Sequence, residues 1–529
     1  MNGHIARSAG LIGLATMTSR ILGLARDQVL AYLFGAGDAM DAFRIAFRLP
    51  NLLRDLFAEG AMSAAFVPTF TRYLTTRGRA DARRLGNNVI NALLIVTGAL
   101  AIAGVLFARP LVNLYAEDYS AVPGKIELTI GLTRIMFPFL TLVALAAALM
   151  GMLNSLHRFF IPALSSAMFN VGTILCAIVL VPLMPGLGWQ PITAIAIGTL
   201  VGGIGQVLIQ WPVLHREGFR YQPVLDFHDE GLRQIARLMG PGIVGLAAVQ
   251  INLFVNSWLA TSQGTGAVSW LDYAFRLTYM PIGLFGVSIA TATLPGISGH
   301  VALEDLAGVR RAVSSSLRLM LMLSVPATAG LMALAAPIVS LIYEHGRFMA
   351  DDTTATAAAL TFYAPGLVGY SAVKLLSPAF YALRDSRTPV IVSGASVLMN
   401  VILNITLVDS MGYRGLALGT ASAALFNAGA LLWLLRNRLG GIEGTTVAGV
   451  FVKIAVASLV MAAAAWASEQ WLRALLPAQS VSAQLIRVFG SIGIALIVLA
   501  LSAKGLGIRE FSEAFSAVTR RFRRESTAI

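Results

Sequence analysis

The chain has 529 residues, of which 57% are hydrophobic and only 12% charged, and its mean hydropathy is +0.75. Soluble domains run at about 45–50% apolar and about 25% charged residues, so a soluble multidomain enzyme is excluded, and continuous apolar runs without alternation argue against a β-barrel. The net charge of +13 rests on arginine, with lysine only at Lys125, Lys374, Lys453 and Lys504; in so apolar a chain it marks cytoplasmic loops rather than a nucleic-acid partner.

Apolar runs bounded by loop signals predict helices near 8–33, 40–70, 87–108, 127–153, 160–182, 191–213, 235–262, 270–297, 314–343, 356–383, 388–408, 414–435, 446–467 and 484–503. This is the pattern of an all-α polytopic membrane protein with about 14 transmembrane helices. An even count places both termini on one side. The segments 71–86, 214–237, 298–318, 384–387 and 436–438 are basic, as is the tail at Arg520, Arg521, Arg523 and Arg524, whereas 183–190 and 262–269 carry no charge. Both termini are therefore expected in the cytoplasm, with the tail able to touch anionic headgroups. Arg20 and Arg26 interrupt any cleavable signal sequence. The single Cys176 forms no disulfide within the chain, and the six histidines show no metal-ligand spacing, so no metal or other cofactor is expected.

An internal repeat divides the chain. AGLIGLATMTSRILGLARD at 9–27 parallels PGIVGLAAVQINLFVNSWL at 241–259, and DAFRIAFRLP at 41–50 parallels DYAFRLTYMP at 272–281, at offsets of 232 and 231. Six helices per repeat is an even number, so the two halves run parallel about an axis along the membrane normal. The expected layout is two parallel six-helix lobes around a central cavity, 1–225 and 226–440, followed by two extra C-terminal helices at 441–505 and a basic tail at 506–529.

The most informative residues are charges set inside apolar spans. Helices 1 and 2 carry Arg20, Arg26, Asp27, Asp41, Arg44, Arg48, Arg54, Asp55 and Glu59; helix 8 carries Asp272 and Arg276; helix 10 carries Lys374. An arginine at mid-membrane depth costs about 2.5–3.5 kcal/mol on insertion scales, so five in one helical pair would cost roughly 12–18 kcal/mol if they faced lipid. They must face water, acidic partners or a ligand. Arg20 and Asp27 are seven apart, as are Arg48 and Asp55, which places each pair on one stripe. Arg44 and Arg48 are i,i+4 neighbours whose repulsion an anionic ligand would relieve. Arginines outnumber the acids of these two helices, and guanidinium binds phosphate through a bidentate fork. The expected substrate is anionic and phosphorylated. An uncharged set, Asn256, Asn400, Asn404 and Thr420, offers oxygens to a sodium ion, although interhelical hydrogen bonding is the commoner use of such residues.

With these residues in view, the chain resembles the MurJ (MviN) lipid II flippase family of the multidrug/oligosaccharidyl-lipid/polysaccharide exporter superfamily. The matching stretches are TSRILGLARD (18–27), DAFRIAFRLPNLLRDLFAEGAMSAAFVP (41–68), SWLDYAFRL (269–277) and VKLLSPAFYALRDSRTP (373–389). The resemblance implies fourteen helices, residence in the bacterial inner membrane, and export of the undecaprenyl-diphosphate-linked peptidoglycan precursor, lipid II, to the outer leaflet. It places Arg20, Arg26, Arg54 and Arg276 on the family's cavity arginines and Asp41 and Glu59 on its acidic positions. It also makes helices 13 and 14 part of a groove for the lipid tail. Some relatives carry a carboxylate one turn after the helix 8 arginine, where this chain has Tyr279; Asp272, one turn before Arg276, is then the expected partner.

The resulting expectation is a monomeric flippase working by alternating access. Arg20, Arg26, Arg54 and Arg276 bind the diphosphate, and Asp27, Asp41, Glu59 and Asp272 gate or pair with them. Arg44, Arg48 and Lys374 stand behind these. Membrane potential, with Na+ or another ion as a possible coupling partner, drives the headgroup outward at about 2.3 kcal/mol per charge per 100 mV. A drug or polysaccharide exporter of the same superfamily is the alternative, but a cation-extruding pump calls for an acidic cavity. A membrane enzyme would need an acid/base or metal cluster that the sequence lacks.

Overall fold

The computed structural model describes residues 2–55, 61–477 and 480–511. Glu59 and the tail arginines Arg520, Arg521, Arg523 and Arg524 lie outside them. All the regular structure among the described residues is helical, in twenty α-helices with short 3-10 and π turns between them. In chain order the helices are α1 (Asn2–Phe34), α2 (Asp38–Arg54), α3 (Ala61–Thr76), α4 (Arg79–Leu106), α5 (Ala108–Ala116), α6 (Lys125–Met136), α7 (Phe139–Ser155), α8 (Phe160–Leu180), α9 (Thr193–Arg216) and α10 (Glu230–Thr261). They continue as α11 (Ala267–Pro281), α12 (Val287–Ala302), α13 (Leu306–Ala333), α14 (Ala335–Tyr343), α15 (Ala350–Tyr363), α16 (Gly366–Ala382), α17 (Arg387–Met411), α18 (Tyr413–Arg438), α19 (Gly444–Leu475) and α20 (Val481–Gly505).

Each of the fourteen apolar segments falls on one of these helices or on two in succession. Nine spans among the described residues are long and apolar enough to cross a membrane. Three of the other five segments are broken into helices shorter than 18 residues: α2 and α3, α11 and α12, and α15 and α16. Proline accounts for two of the breaks. Pro365 precedes α16, and Pro281 closes α11 ahead of a π turn at Ile282–Gly286. The backbone also takes π geometry at Asp55, just past α2. At the repeat offset of 231, Asp55 stands opposite Gly286. The stretch after residue 108, expected as loop, contains nearly all of α5 and a 3-10 turn at Glu117–Ala121.

Two compact units emerge. Unit 1 is residues 1–269 with 346–348, and unit 2 is 270–345 with 349–529. The seventh segment, α10, packs within unit 1 against α3, α4 and α5. In unit 1, aromatic and aliphatic side chains such as Phe66, Phe70, Leu149 and Met152 are buried between α3, α4 and α7. In unit 2, Val313, Met320, Leu376, Leu431 and Ile454 form the equivalent core.

Lipid tails are as apolar as leucine, so helices associate by close contact at small residues. In unit 1, a Cβ added at Gly172 on α8 would lie 2.6 Å from Gly202 Cα on α9, and one at Gly202 would lie 2.8 Å from Phe169 Cα. Backbone meets backbone, so nothing can rotate away. Gly202→Val is therefore expected to abolish folded, monodisperse protein, whereas Gly98→Ala on α4, where the added carbon meets nothing within 4 Å, should match wild type. Size-exclusion profiles and thermal melts of the purified variants check this; normal Gly202→Val behaviour would mean the crossing is looser than described.

The connection between α9 and α10 is pinned rather than slack. Asn87, Asn88 and Asn91 on α4 are buried, and each amide bonds the backbone of 220–226. Asn88 donates to Asp226 O at 2.8 Å and accepts from Asp226 N at 2.7 Å, as a neighbouring strand would. Asn87 does the same with Arg220 O and Gln222 N, while Asn91 donates to Gln222 O and Val224 O. Tyr221 completes the set by donating to Asn91 Oδ1 at 2.7 Å.

Candidate functional site

In unit 1 the candidate charges lie on α1 and α2, whose periodicity exposes Arg20 and buries Asp27. They do not share an environment, despite the seven-residue spacing. Asp27 instead takes the adjacent guanidinium: Arg26 Nη2 and Nε reach its Oδ1 at 2.9 and 3.2 Å, and Arg26 stacks over Phe169 at 5.2 Å. The same pairing recurs at the end of α2, where Arg54 Nη2 and Nε donate to Asp55 Oδ1 at 2.7 and 3.0 Å. Gln250 on α10 donates to the other Asp55 oxygen at 3.3 Å. Adjacent helical residues do not face each other, but a long guanidinium folds back far enough to close these pairs. Arg44 is 8% exposed and Arg48 half-buried, one turn apart on α2.

Asp41 has a different set of partners. It is fully buried and accepts from Lys125 Nζ (3.2 Å), Gly266 N (2.7 Å), Ser269 N (3.1 Å) and Ser269 Oγ (2.7 Å). Lys125 also meets Asp38 at 2.8 Å and lies 4.1 Å from the centre of the Tyr119 ring. This cluster ties the start of α2 to α6 and to the turn between α10 and α11. Sequence reasoning missed Lys125. Its signal was a lysine at the head of an apolar segment in a chain that otherwise uses arginine.

In unit 2, Arg276 pairs with Asp272 at 2.8 Å across one turn of α11, and both side chains are about one-third to one-quarter exposed. Tyr279 is exposed, as is Lys374 on α16. Asn400 and Asn404 on α17 are buried and linked: Asn404 Nδ2 donates to Asn400 Oδ1 at 3.1 Å, and Asn400 Nδ2 to Thr420 Oγ1 on α18 at 3.4 Å. Thr420 hands its own hydroxyl proton to Leu416 O. This chain of donors links α17 to α18. Asn256 belongs to unit 1. Among the described residues, no three His, Cys, Asp or Glu side chains come together as a metal-ligand group.

The RDSRTP stretch is a helix start. Asp385 Oδ1 accepts from Arg387 N and Thr388 N, its Oδ2 accepts from Thr388 Oγ1, and Arg438 closes on it from the end of α18. The hydrogen bonds from Thr388, with the Arg438 charge, hold the Asp385 carboxyl below its ordinary range.

Apolar spans, helices broken within their segments, and guanidiniums partnered by carboxylates mark a multi-pass helical membrane protein. The model of the family described as Lipid II flippase MurJ matches residues 30–485, and the chain belongs to that family. Arg54 and Arg276 lie inside the matched range, Arg20 and Arg26 ahead of it. The "Probable lipid II flippase MurJ" of Vibrio cholerae serotype O1 is 34% identical over 469 residues, covering 87% of this chain and 88% of the relative. The "Lipid II flippase MurJ" of Burkholderia cenocepacia is 32% identical, covering 84% and 87%. Among solved structures, "Lipid II flippase MurJ, inward closed conformation" superposes with a TM-score of 0.76 at 27% identity, over 94% of this chain and 99% of that one. An inward-facing multidrug resistance MATE family transporter of the MOP superfamily gives 0.68 at 17% identity, over 83% of this chain and 99% of that one, which is a likeness of fold alone.

Proposed function

We propose that this chain carries lipid II from the inner to the outer leaflet of the bacterial cytoplasmic membrane by alternating access. The observation that carries the reading is the family match across 30–485. The arginines give it a mechanism. A diphosphate entering among Arg20, Arg26, Arg54 and Arg276 would exchange places with the carboxylates now holding three of them, Asp27, Asp55 and Asp272. Each acid keeps its guanidinium oriented and spares the apolar helix an uncompensated charge until substrate arrives. Release then returns the acids to their partners. The precursor is a lipid-linked disaccharide peptide, its tail stays in the membrane along α19 and α20, and membrane potential favours outward passage of the anionic headgroup.

The two parallel lobes at 1–225 and 226–440 fit this cycle. The π interruptions at Asp55 and Gly286, equivalent under the repeat, support them. The protein acts as a monomer. Complementation tests the whole reading: the intact chain should restore growth of a bacterium depleted of its own lipid II flippase. Failure at normal membrane levels would refute it.

Orientation follows from the arginine bias, with both termini and the 71–86 loop cytoplasmic. In a Cys176→Ser background, Arg79→Cys should react with a membrane-impermeant maleimide only after the cells are opened. Labelling in intact cells would invert the topology.

A further inference from the structure

Unit 2 contains a cavity of about 440 Å3 between α14, α15, α19 and α20, lined by Glu344, Thr353, Glu469, Arg473, Gln484 and Arg487. Its volume falls in the range of about 300–1,000 Å3 that ligand pockets occupy. Two carboxylates and two guanidiniums share this lining, yet no ion pair joins any two of them among the described residues. Glu344 accepts from Thr353 Oγ1 at 2.8 Å. Glu469 is 7% exposed, and no hydrogen bond or ion pair reaches its carboxylate among the described residues. Gln484 is 6% exposed, with a buried Oε1 that likewise has no partner. Burying such groups unpaired is costly. A guest bearing both signs of charge would satisfy the carboxylates and guanidiniums that line the cavity.

The cavity also has a place along the membrane normal. Arg310 at the start of α13 bonds Leu439 O at the end of α18, so those two termini share one end of unit 2. α14 follows the far end of α13, and the far end of α19 carries Trp466 and Trp471, both exposed. Exposed indoles mark the headgroup level of a bilayer.

We propose that this cavity binds the headgroup of an aminophospholipid, a primary ammonium joined through a short linker to a phosphodiester. The ammonium donates to Glu469 and Glu344, and Arg473 and Arg487 take the phosphodiester. A choline headgroup carries no N–H for Glu469, and a glycerol headgroup carries no cation. Assignment to the outer leaflet rests on the orientation given above; the chemistry of the site does not, and it is separate from the flipping reaction.

The test uses the full chain purified in detergent. Retention of phosphatidylethanolamine, phosphatidylcholine and phosphatidylglycerol is measured by native mass spectrometry, with soluble O-phosphoethanolamine as a competitor. Phosphatidylethanolamine should be retained roughly tenfold better than the other two, the effect of one charge-assisted hydrogen bond. Glu469→Gln and Arg487→Gln should each erase that preference. Gln484→Leu guards against misfolded variants: removing the orphan oxygen should leave lipid-free protein at least as heat-stable as wild type and the preference intact. Equal retention of the three lipids, or a preference surviving both charge substitutions, overturns the proposal. Competition by O-phosphoethanolamine with no lipid preference also overturns it, in favour of a soluble zwitterion.

Discussion

Arg54→Ala is expected to abolish rescue of flippase-depleted cells, and Arg26→Ala to do nearly the same, at normal protein levels. On the function proposed above, each removes a charge-assisted contact to the diphosphate worth about 1.5–3 kcal/mol, or roughly ten- to hundredfold in binding. Each also removes the guanidinium that neutralises the neighbouring carboxylate, Asp55 or Asp27, in a partly or fully buried setting. Arg→Lys should restore only part of the activity, because a point charge replaces a planar fork. Asp55→Asn separates the two effects. It keeps the guanidinium and removes its competitor, so the precursor should bind at least as tightly while release slows. Lipid II accessibility at the outer leaflet, read per molecule of transporter, is the measurement. Full flipping by both alanine variants would make these charges structural.

Asp41→Ala is expected to fail earlier, in folding. Removing one partner of a buried ion pair costs about 3–5 kcal/mol, and here the loss also strips the acceptor from the backbone N–H of Gly266 and of Ser269. Lys125 keeps Asp38, so the lysine is not left naked; the damage concentrates on the turn between α10 and α11. Asp41→Asn, which retains one acceptor oxygen and the shape, should fall between alanine and wild type. Thermal melts of purified protein decide it. An Asp41→Ala melt that overlays wild type would show that the cluster adds nothing to stability.

The fold was legible because hydrocarbon imposes a simple code. Apolar stretches of the right length become helices, and all fourteen do so here. What the code hides is where a segment breaks: α6 gives way to α7 at Pro138, a visible signal, but α13 gives way to α14 at Leu334, which no residue type announces. Charges in the apolar runs were equally legible, since their insertion cost demands an explanation. Their partners were not. Lys125 lies 84 residues from Asp41, and Gln250 lies 195 from Asp55, separations at which a single sequence carries no pairing signal. The Arg26–Asp27 and Arg54–Asp55 pairs were hidden for the opposite reason. Helical periodicity counsels against neighbours touching, and it describes Cβ directions rather than the reach of a guanidinium.

The stretch from 220 to 226 has a practical meaning for anyone who wishes to cut or label the molecule. Read as sequence, a polar connection between two repeats invites a protease site, an epitope tag or a split point for expressing the halves separately. The carbonyls of Arg220, Gln222, Val224 and Asp226 and the amides of Gln222 and Asp226 are instead already spoken for by Asn87, Asn88 and Asn91. An insertion there would have to tear out that ladder and leave three buried carboxamides with nothing to bond. The join between the repeats is thus held to α4, and the amides of Gln222 and Asp226, which donate to Asn87 and Asn88, should exchange with solvent more slowly than those of an unpinned loop.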